Sequence, residues 1–353
     1  MIQSKIQSVA WGMMVSGLLF GAIACQPSNT PTTQGEGSTE NTELPGAGVT
    51  VRSVHSSLLE ERFQTEIVNQ ALEELGYETA EIAELEVATM VVAISNGDLD
   101  YTTIHWENNQ SNLYQNSGGE EKLSKLGVIV PNLVQGYQID KKTADEYQIT
   151  NLEQLQDPEI AKLFDTDGDG KANLIGCNSG WACELTIEHH IQAYDLQDTV
   201  EQDVGQYSAL IADAIARYNQ GESVLFYIWT PFWLGSVLEP GEDTIWLQVD
   251  QTDLPGEQQA LTEADTTANG KNIGFPVDRM RILANKEFVE ANPAAKKLFE
   301  VVEVPIEDIS DQNNLMRQGE DTPEDIERHA QEWIADNQEL FDSWVEQALV
   351  AQS

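Results

Sequence analysis

Basic residues are scarce: the 353-residue chain has 18 Lys and Arg against 60 Asp and Glu, a formal charge of −42. Such an acidic surface lacks the basic footprint of a nucleic-acid binder, so no nucleic-acid partner is expected. Cysteine is almost absent, with only Cys25, Cys177 and Cys183. Catalytic signatures are missing as well, since no GxSxG, HExxH or P-loop pattern occurs, and no internal repeat is visible. The chain is therefore not expected to be an enzyme or to need a cofactor. Apolar residues are not lacking. At 41% of the chain they suffice for a substantial core, so the acidity marks a charged surface rather than disorder. The length allows two domains or one large one.

The N-terminus reads as an export signal. Met1–Lys5 carries one cation, Ile6–Ala24 is largely apolar, and the small residues Ala22 and Ala24 precede Cys25. As a membrane span the stretch is short and is interrupted by Gln7 and Ser8. The reading is a signal peptide over 1–24 with a lipoprotein-like cleavage site, although Ala22 stands where lipoprotein signals usually carry Leu. Residues 25–48 form a lipidated Cys25 and a flexible linker rich in Ser, Thr, Pro, Gly and Glu. The expected location is the periplasm or the outer face of the cell membrane, anchored by lipid on Cys25. In that oxidising compartment Cys177 and Cys183 can pair, closing a loop whose entropic contribution is only about 2 kcal/mol.

From residue 49 strand and helix patterns alternate. A short strand over 49–54 precedes a helix on which Phe63, Ile67, Ala71 and Leu75 recur every four residues, opened by a Ser57–Glu60 capping box and stopped at Gly76. Further strands are expected at 101–106, 127–130, 134–139, 223–228, 244–249 and 281–284. Helices at 85–94, 184–194, 206–218 and 288–302 imply parallel βαβ units. Thr322-Pro323 opens a C-terminal helix with Trp333, Phe341, Trp344 and Val345 on one side.

In such sheets ligands sit beyond the strand ends. Trp106 and Trp229 close strands there, and Trp181 lies in the turn before a helix. Trp233, Trp246, Trp333 and Trp344 read as packing. Indole faces are the best partners for a quaternary ammonium ion, which has no hydrogen to donate. Beside Trp181, the run Gly176-Cys177-Asn178-Ser179-Gly180-Trp181-Ala182-Cys183-Glu184 leads into a helix, so the free N–H groups of Ala182 and Cys183 suit an anion. A cation cage next to an anion-binding helix end is a receptor for a zwitterion.

The sequence resembles the glycine betaine/proline betaine substrate-binding proteins of bacterial osmoprotectant (proline/glycine betaine) ABC importers. The likeness runs from Leu44 to Gln352. It includes Gln135-Gly136-Tyr137, Ile139-Asp140-Lys141-Lys142-Thr143-Ala144-Asp145, the GCNSGWACE run, Trp229-Thr230-Pro231-Phe232-Trp233 and Trp246-Leu247-Gln248-Val249. The resemblance implies a high-affinity receptor that delivers the betaine to a permease and its ATPase subunit, and a monomer. It implies an ammonium cage of Trp106, Trp181 and Trp229, with the carboxylate on the N–H groups of Ala182 and Cys183. Gln110 stands where a relative has a His that helps to hold the carboxylate, and an amide can donate the same bond. The implied fold is α/β, a two-lobed periplasmic substrate-binding protein of type II-like form. Its two crossover strands lie at the hinge, near 136–140 and 281–284, with the ligand in the interlobe cleft. The expected lobes are A (49–138 and 282–353) and B (139–281).

Other features carry weaker expectations. Asp165, Asp167 and Asp169 have the DxDxDG opening of a Ca²⁺ loop, but position 12 is Gly176 rather than Glu, so they are a weak Ca²⁺ candidate. His189 and His190 are neighbours and face different ways on a helix. His105 reads as structural. The acidic pairs Glu60-Glu61 and Glu73-Glu74 read as solvated faces. Rival readings are a receptor for choline, carnitine or another quaternary amine and, from another class, an exported metal-dependent hydrolase.

Overall fold

The computed structural model describes residues 44–352. The expected signal peptide, Cys25 and the linker as far as residue 43 lie outside the described residues. Residues 44–48 are not linker, because the Gly46 N–H donates to the Leu75 carbonyl at 2.9 Å and a Cβ on Gly46 would fall 2.4 Å from the Tyr77 ring.

Two strand pieces, Thr50–Val51 and Val54–His55, lead to helix α1 (Arg62–Glu74), which buries Phe63, Ile67 and Ala71 as its periodicity requires. The Ser57–Glu60 capping box does not form. A 3₁₀ turn over Leu59–Glu61 delays the helix, and Glu61 rather than Glu60 reaches back, accepting the Ser56 N–H at 3.0 Å. Helix α2 (Val87–Asn96) follows, then the wholly buried strand β1 (Tyr101–Trp106).

Strand β2 (Leu123–Asp140) merges two expected strands into one. Between them the chain absorbs Pro131 and Asn132 as a bulge, with Leu133 opposite Asp278 and Val130 opposite Met280. A second irregularity sits at Gly127 (φ +49°), where a Cβ would fall 2.4 Å from the Phe299 carbonyl oxygen. The chain continues through β3 (Ala172–Ile175), α3 (Ala182–Ala193), β4 (Val200–Asp203), α4 (Tyr207–Asn219), β5 (Leu225–Thr230), β6 (Thr244–Trp246) and β7 (Asp278–Asn285). Helices α5 (Pro293–Val301), α6 (Ile306–Arg317), α7 (Pro323–Asp336) and α8 (Gln338–Leu349) complete it.

These strands form a seven-stranded sheet in the order β1-β7-β2-β5-β3-β4, with β6 also on β2. The expected parallel βαβ pairing appears in this sheet for β3 with β4 and with β5. Pairings of β2 with β5, β6 and β7, and of β7 with β1, are antiparallel. β2 joins the two halves of the sheet. Its residues 123–133 pair with β7, and its residues 134–139 pair with β5. The exchange of partners falls at Leu133–Val134, and β7 over 281–284 pairs with β1 and the first half of β2.

The single C-terminal helix expected from Thr322 is two, α7 and α8, broken at Asn337, so Trp333 lies on one and Phe341, Trp344 and Val345 on the other. Thr322 and Asp325 cap α7 reciprocally, and Trp333 meets Phe63 edge-on at 6.5 Å and stacks on Trp344 at 6.0 Å. Among the described residues no helix is long and apolar enough to cross a membrane.

Candidate ligand-binding site

Trp106, Trp181 and Trp229 line one cavity of about 670 Å³, open mouth included, together with Gln110, Ala182 and Cys183. Each arrives by a different route. Trp106 ends β1 and Trp229 sits one residue from the end of β5. Trp181 is the N-cap residue of α3, with extended backbone (φ −74°, ψ 150°) that swings the chain into the helix. Its side chain caps nothing, so the first N–H groups of α3, those of Ala182 and Cys183, have no acceptor within the helix.

The turn that presents Trp181 is tied down on several sides. Cys177 and Cys183 form the expected disulfide. Asn178 Oδ1 accepts the Tyr207 N–H at 2.7 Å, and the Glu184 carboxylate accepts the Gly180 N–H at 2.6 Å. Gly180 has φ +87°, a conformation L side chains rarely take, which suits the glycine beside Trp181.

Trp181 and Trp229 meet edge to face at 5.8 Å and 74°. Behind them Tyr207 packs on both rings, at 6.1 and 4.8 Å, and donates its hydroxyl to the Tyr227 carbonyl at 2.6 Å. Phe232 adds a further ring 4.4 Å from Trp229. These contacts fix the indole planes before any ligand arrives. Each of the three tryptophans is less than 9% exposed, so a cation among them would be desolvated.

The Trp106 side depends on distant residues. The Asp278 carboxylate, at the start of β7, accepts the N–H groups of Asn108 and Asn109 at 3.0 and 2.8 Å, which shapes the turn after β1. Burial pushes Asp278 up to about 6, against the lowering effect of those N–H groups. Gln110 is buried, and its Oε1 lies 3.0 Å from Nδ1 of His105. Burial drives the His105 imidazole down to about 4, so it is neutral and donates to that oxygen. The amide N–H₂ of Gln110 is left for the cavity. His105 itself sits behind the wall, as strand alternation beside Trp106 requires.

Further cavity residues escaped the sequence reading: Ser56, Gln64, Asn109, Tyr227, Met280 and Asn313 among them. So did Glu60 and Glu61, whose reading as a solvated face is overturned because both line the cavity. Desolvation pushes their carboxyls up to about 7 and about 8. The capping-box pattern had absorbed Glu60, and only the misplaced helix start could have exposed the error. Glu73 does remain at the surface, in a short hydrogen bond with Thr79.

The weaker candidates separate from this site. Carboxylate oxygens of Asp165, Asp167 and Asp169 come within 4.8 Å of one another. All three already accept N–H groups of their own loop, from Gly168, Asp169, Gly170 and Lys171. His190 is buried against the Tyr137 hydroxyl at 2.7 Å, whereas His189 meets Asp253 at 2.7 Å, so the two do not share a ligand.

Comparison with known proteins gives the family. Residues 49–336 match the family described as the substrate binding domain of ABC-type glycine betaine transport system. The chain is 51% identical over 310 residues to the glycine betaine-binding periplasmic protein OusX of Dickeya dadantii, covering 88% of this chain and 92% of that one. It is 47% identical over 310 residues to the glycine betaine/proline betaine-binding periplasmic protein of Escherichia coli, covering 88% and 93%. Among solved structures, the glycine betaine, L-proline transporter binding protein of Borrelia burgdorferi aligns with a TM-score of 0.65 at 18% identity, over 86% of this chain and 99% of that one. Lactococcal OpuAC in its closed-liganded conformation aligns with a TM-score of 0.63 at 18% identity, over 84% and 99%. The shared fold is the two-lobed α/β fold of periplasmic substrate-binding proteins, and the family serves transport rather than catalysis. With a family match across most of its length and relatives near half identical, the chain belongs to the substrate-binding proteins of ABC-type glycine betaine transport systems.

Proposed function

We propose that this protein is the high-affinity extracytoplasmic receptor that captures glycine betaine, and proline betaine with it, for an osmoprotectant ABC importer. The observation that supports this reading is the convergence of Trp106, Trp181, Trp229 and the N-terminus of α3 on one cavity. The three indole faces enclose the methylated ammonium, each contributing on the order of 2 kcal/mol when desolvated. The N–H groups of Ala182 and Cys183 and the Gln110 amide hold the carboxylate, where the positive end of α3 favours an anion. A micromolar complex needs about 8 kcal/mol, which these contacts can supply after the entropy of association. Choline would leave the α3 N–H groups without their anion, so it ranks lower.

In this reading the lobes follow the expected division, 49–138 with 282–353 against 139–281. The crossings lie on β2 and β7. Trp106 then belongs to one lobe and Trp181 and Trp229 to the other, so a ligand that bridges them closes the cleft. The permease reads the closed form, and its ATPase subunit drives uptake. A signal peptide over 1–24 directs export, and lipid on Cys25 holds the receptor, as a monomer, at the outer face of the cell membrane.

A calorimetric titration with glycine betaine, proline betaine, choline and proline tests the proposal. Saturable one-to-one binding of the betaines, weaker binding of choline and no turnover are expected. Failure of every quaternary ammonium ligand to bind would refute it.

A further inference from the structure

The cavity carries negative charge that the cage and the helix end do not use. Glu60 and Glu61 enter its wall from the 3₁₀ turn ahead of α1. Glu60 Oε1 is closed off from solvent and meets no hydrogen-bond partner, while Glu61 holds the Ser56 N–H. Among the described residues no Lys, Arg or His forms an ion pair with either carboxyl: Arg62, next in the chain, pairs with Glu66, and His55 meets the Ser56 carbonyl through Nδ1. Glu61 stands beside Glu60, and Glu86, ahead of α2, acts on Glu61. Tyr207 of α4, whose ring backs Trp181 and Trp229, feels the charge of Glu60. Tyr227 of β5 lines the same cavity with its hydroxyl given to Gln135.

A buried carboxylate without a counter-ion is costly, and two side by side are more so. The expense makes sense if the occupant brings the missing positive charge. Glu60 lines the same cavity as the three indoles, while the anion-binding groups belong to α3 and Gln110. We propose that Glu60, with Glu61 behind it, is a specificity-determining residue of this site: its carboxylate is the counter-ion of the ligand's cationic head group and takes up a proton when that head group is absent. The inference rests on reading the cavity as a quaternary-ammonium site and adds the charge that selects the ligand.

Cation and proton then compete for one carboxylate, so each weakens the other's binding by the same factor. Desolvation holds Glu60 at about 7, so the empty cavity is partly protonated at neutral pH, and affinity for the cation rises as pH increases through that value.

The test is calorimetry of the unmodified protein with glycine betaine at about pH 6, 7 and 8, in buffers of different ionisation enthalpy, which counts protons released on binding. A fraction of a proton released near pH 7, with affinity rising about tenfold from pH 6 to 8, is expected. In Glu60→Gln, shown by its melting curve to be folded, the release should fall and affinity at pH 8 should drop about tenfold. Absence of proton release from the unmodified protein, or unchanged affinity in Glu60→Gln, would each overturn the assignment. If the unmodified protein binds no quaternary ammonium at all, it is the functional reading that fails.

Discussion

The wall of the cavity that carries Trp181 and Trp229 is assembled from short runs of chain, whereas the wall of Trp106 and Gln110 depends on residues up to 170 positions apart. On the first wall a disulfide, a helix start and a strand end fix the indoles, and Tyr207 and Phe232 fill in behind. On the second, Asp278 of β7 shapes the turn after β1, and neutral His105 orients Gln110. Local construction gives rigidity, while construction through β2 and β7 ties the second wall to the strands that join the two halves of the sheet. Binding should therefore be most sensitive to the rings of the first wall. The second wall should show effects that spread into stability and pH response.

The largest loss is expected from Trp181→Ala or Trp229→Ala, each of which removes a ring face and also unpacks its partner 5.8 Å away. Calorimetry should show affinity for glycine betaine falling about a hundredfold or more, the sum of a lost cation–π contact and lost apolar cover. Trp106→Ala, with no indole neighbour to disturb, should cost less, and equal losses would break the contrast between the walls.

Gln110→Ala should lower affinity about tenfold, the usual worth of one hydrogen bond to a charged group. Gln110→His should retain binding. A variant that binds as tightly as the parent would remove Gln110 from the site.

Asp278→Asn should weaken binding only a few-fold but change the pH dependence of stability. Burial raises the folded pKa of Asp278 from 3.8 to about 6. Its folded state holds the proton more tightly, so its contribution is complete below 3.8 and is lost as pH rises to about 6. Melting curves of the parent minus those of Asp278→Asn should decline across that window and be flat above it.

The smallest effect on binding belongs to Trp344→Ala. Buried against Trp333 and Phe341, it should cost about 3 to 5 kcal/mol of stability and leave affinity unchanged. A large loss of affinity there would undo the separation of cage from core.

The same contrast explains what the sequence disclosed. Trp181, Ala182 and Cys183 follow one another, and Trp229 closes a plain β-rich run, so chain order alone showed them at element ends. The core helices were equally legible, because Phe63, Ile67 and Ala71 recur with helical period. Asp278 was not legible, since nothing local distinguishes an acid that caps a turn 170 residues away from one that faces water. Glu60 was misread for a related reason: its spacing from Ser57 fits a cap, and only the intervening 3₁₀ turn shows that it does not make one. β2 was expected as two strands, and the pairing with β7 absorbs Pro131 and Asn132 between them as a bulge.

The proposed cage depends on the positive charge of the ligand, held by aromatic faces that a neutral group of the same shape would satisfy poorly. Calorimetric comparison of glycine betaine with tert-butylacetate, in which carbon replaces the quaternary nitrogen and the carboxylate is kept, tests this directly. The cage predicts that tert-butylacetate binds at least about a hundredfold more weakly. Comparable affinity for the two would contradict it, because shape and carboxylate alone would then account for binding.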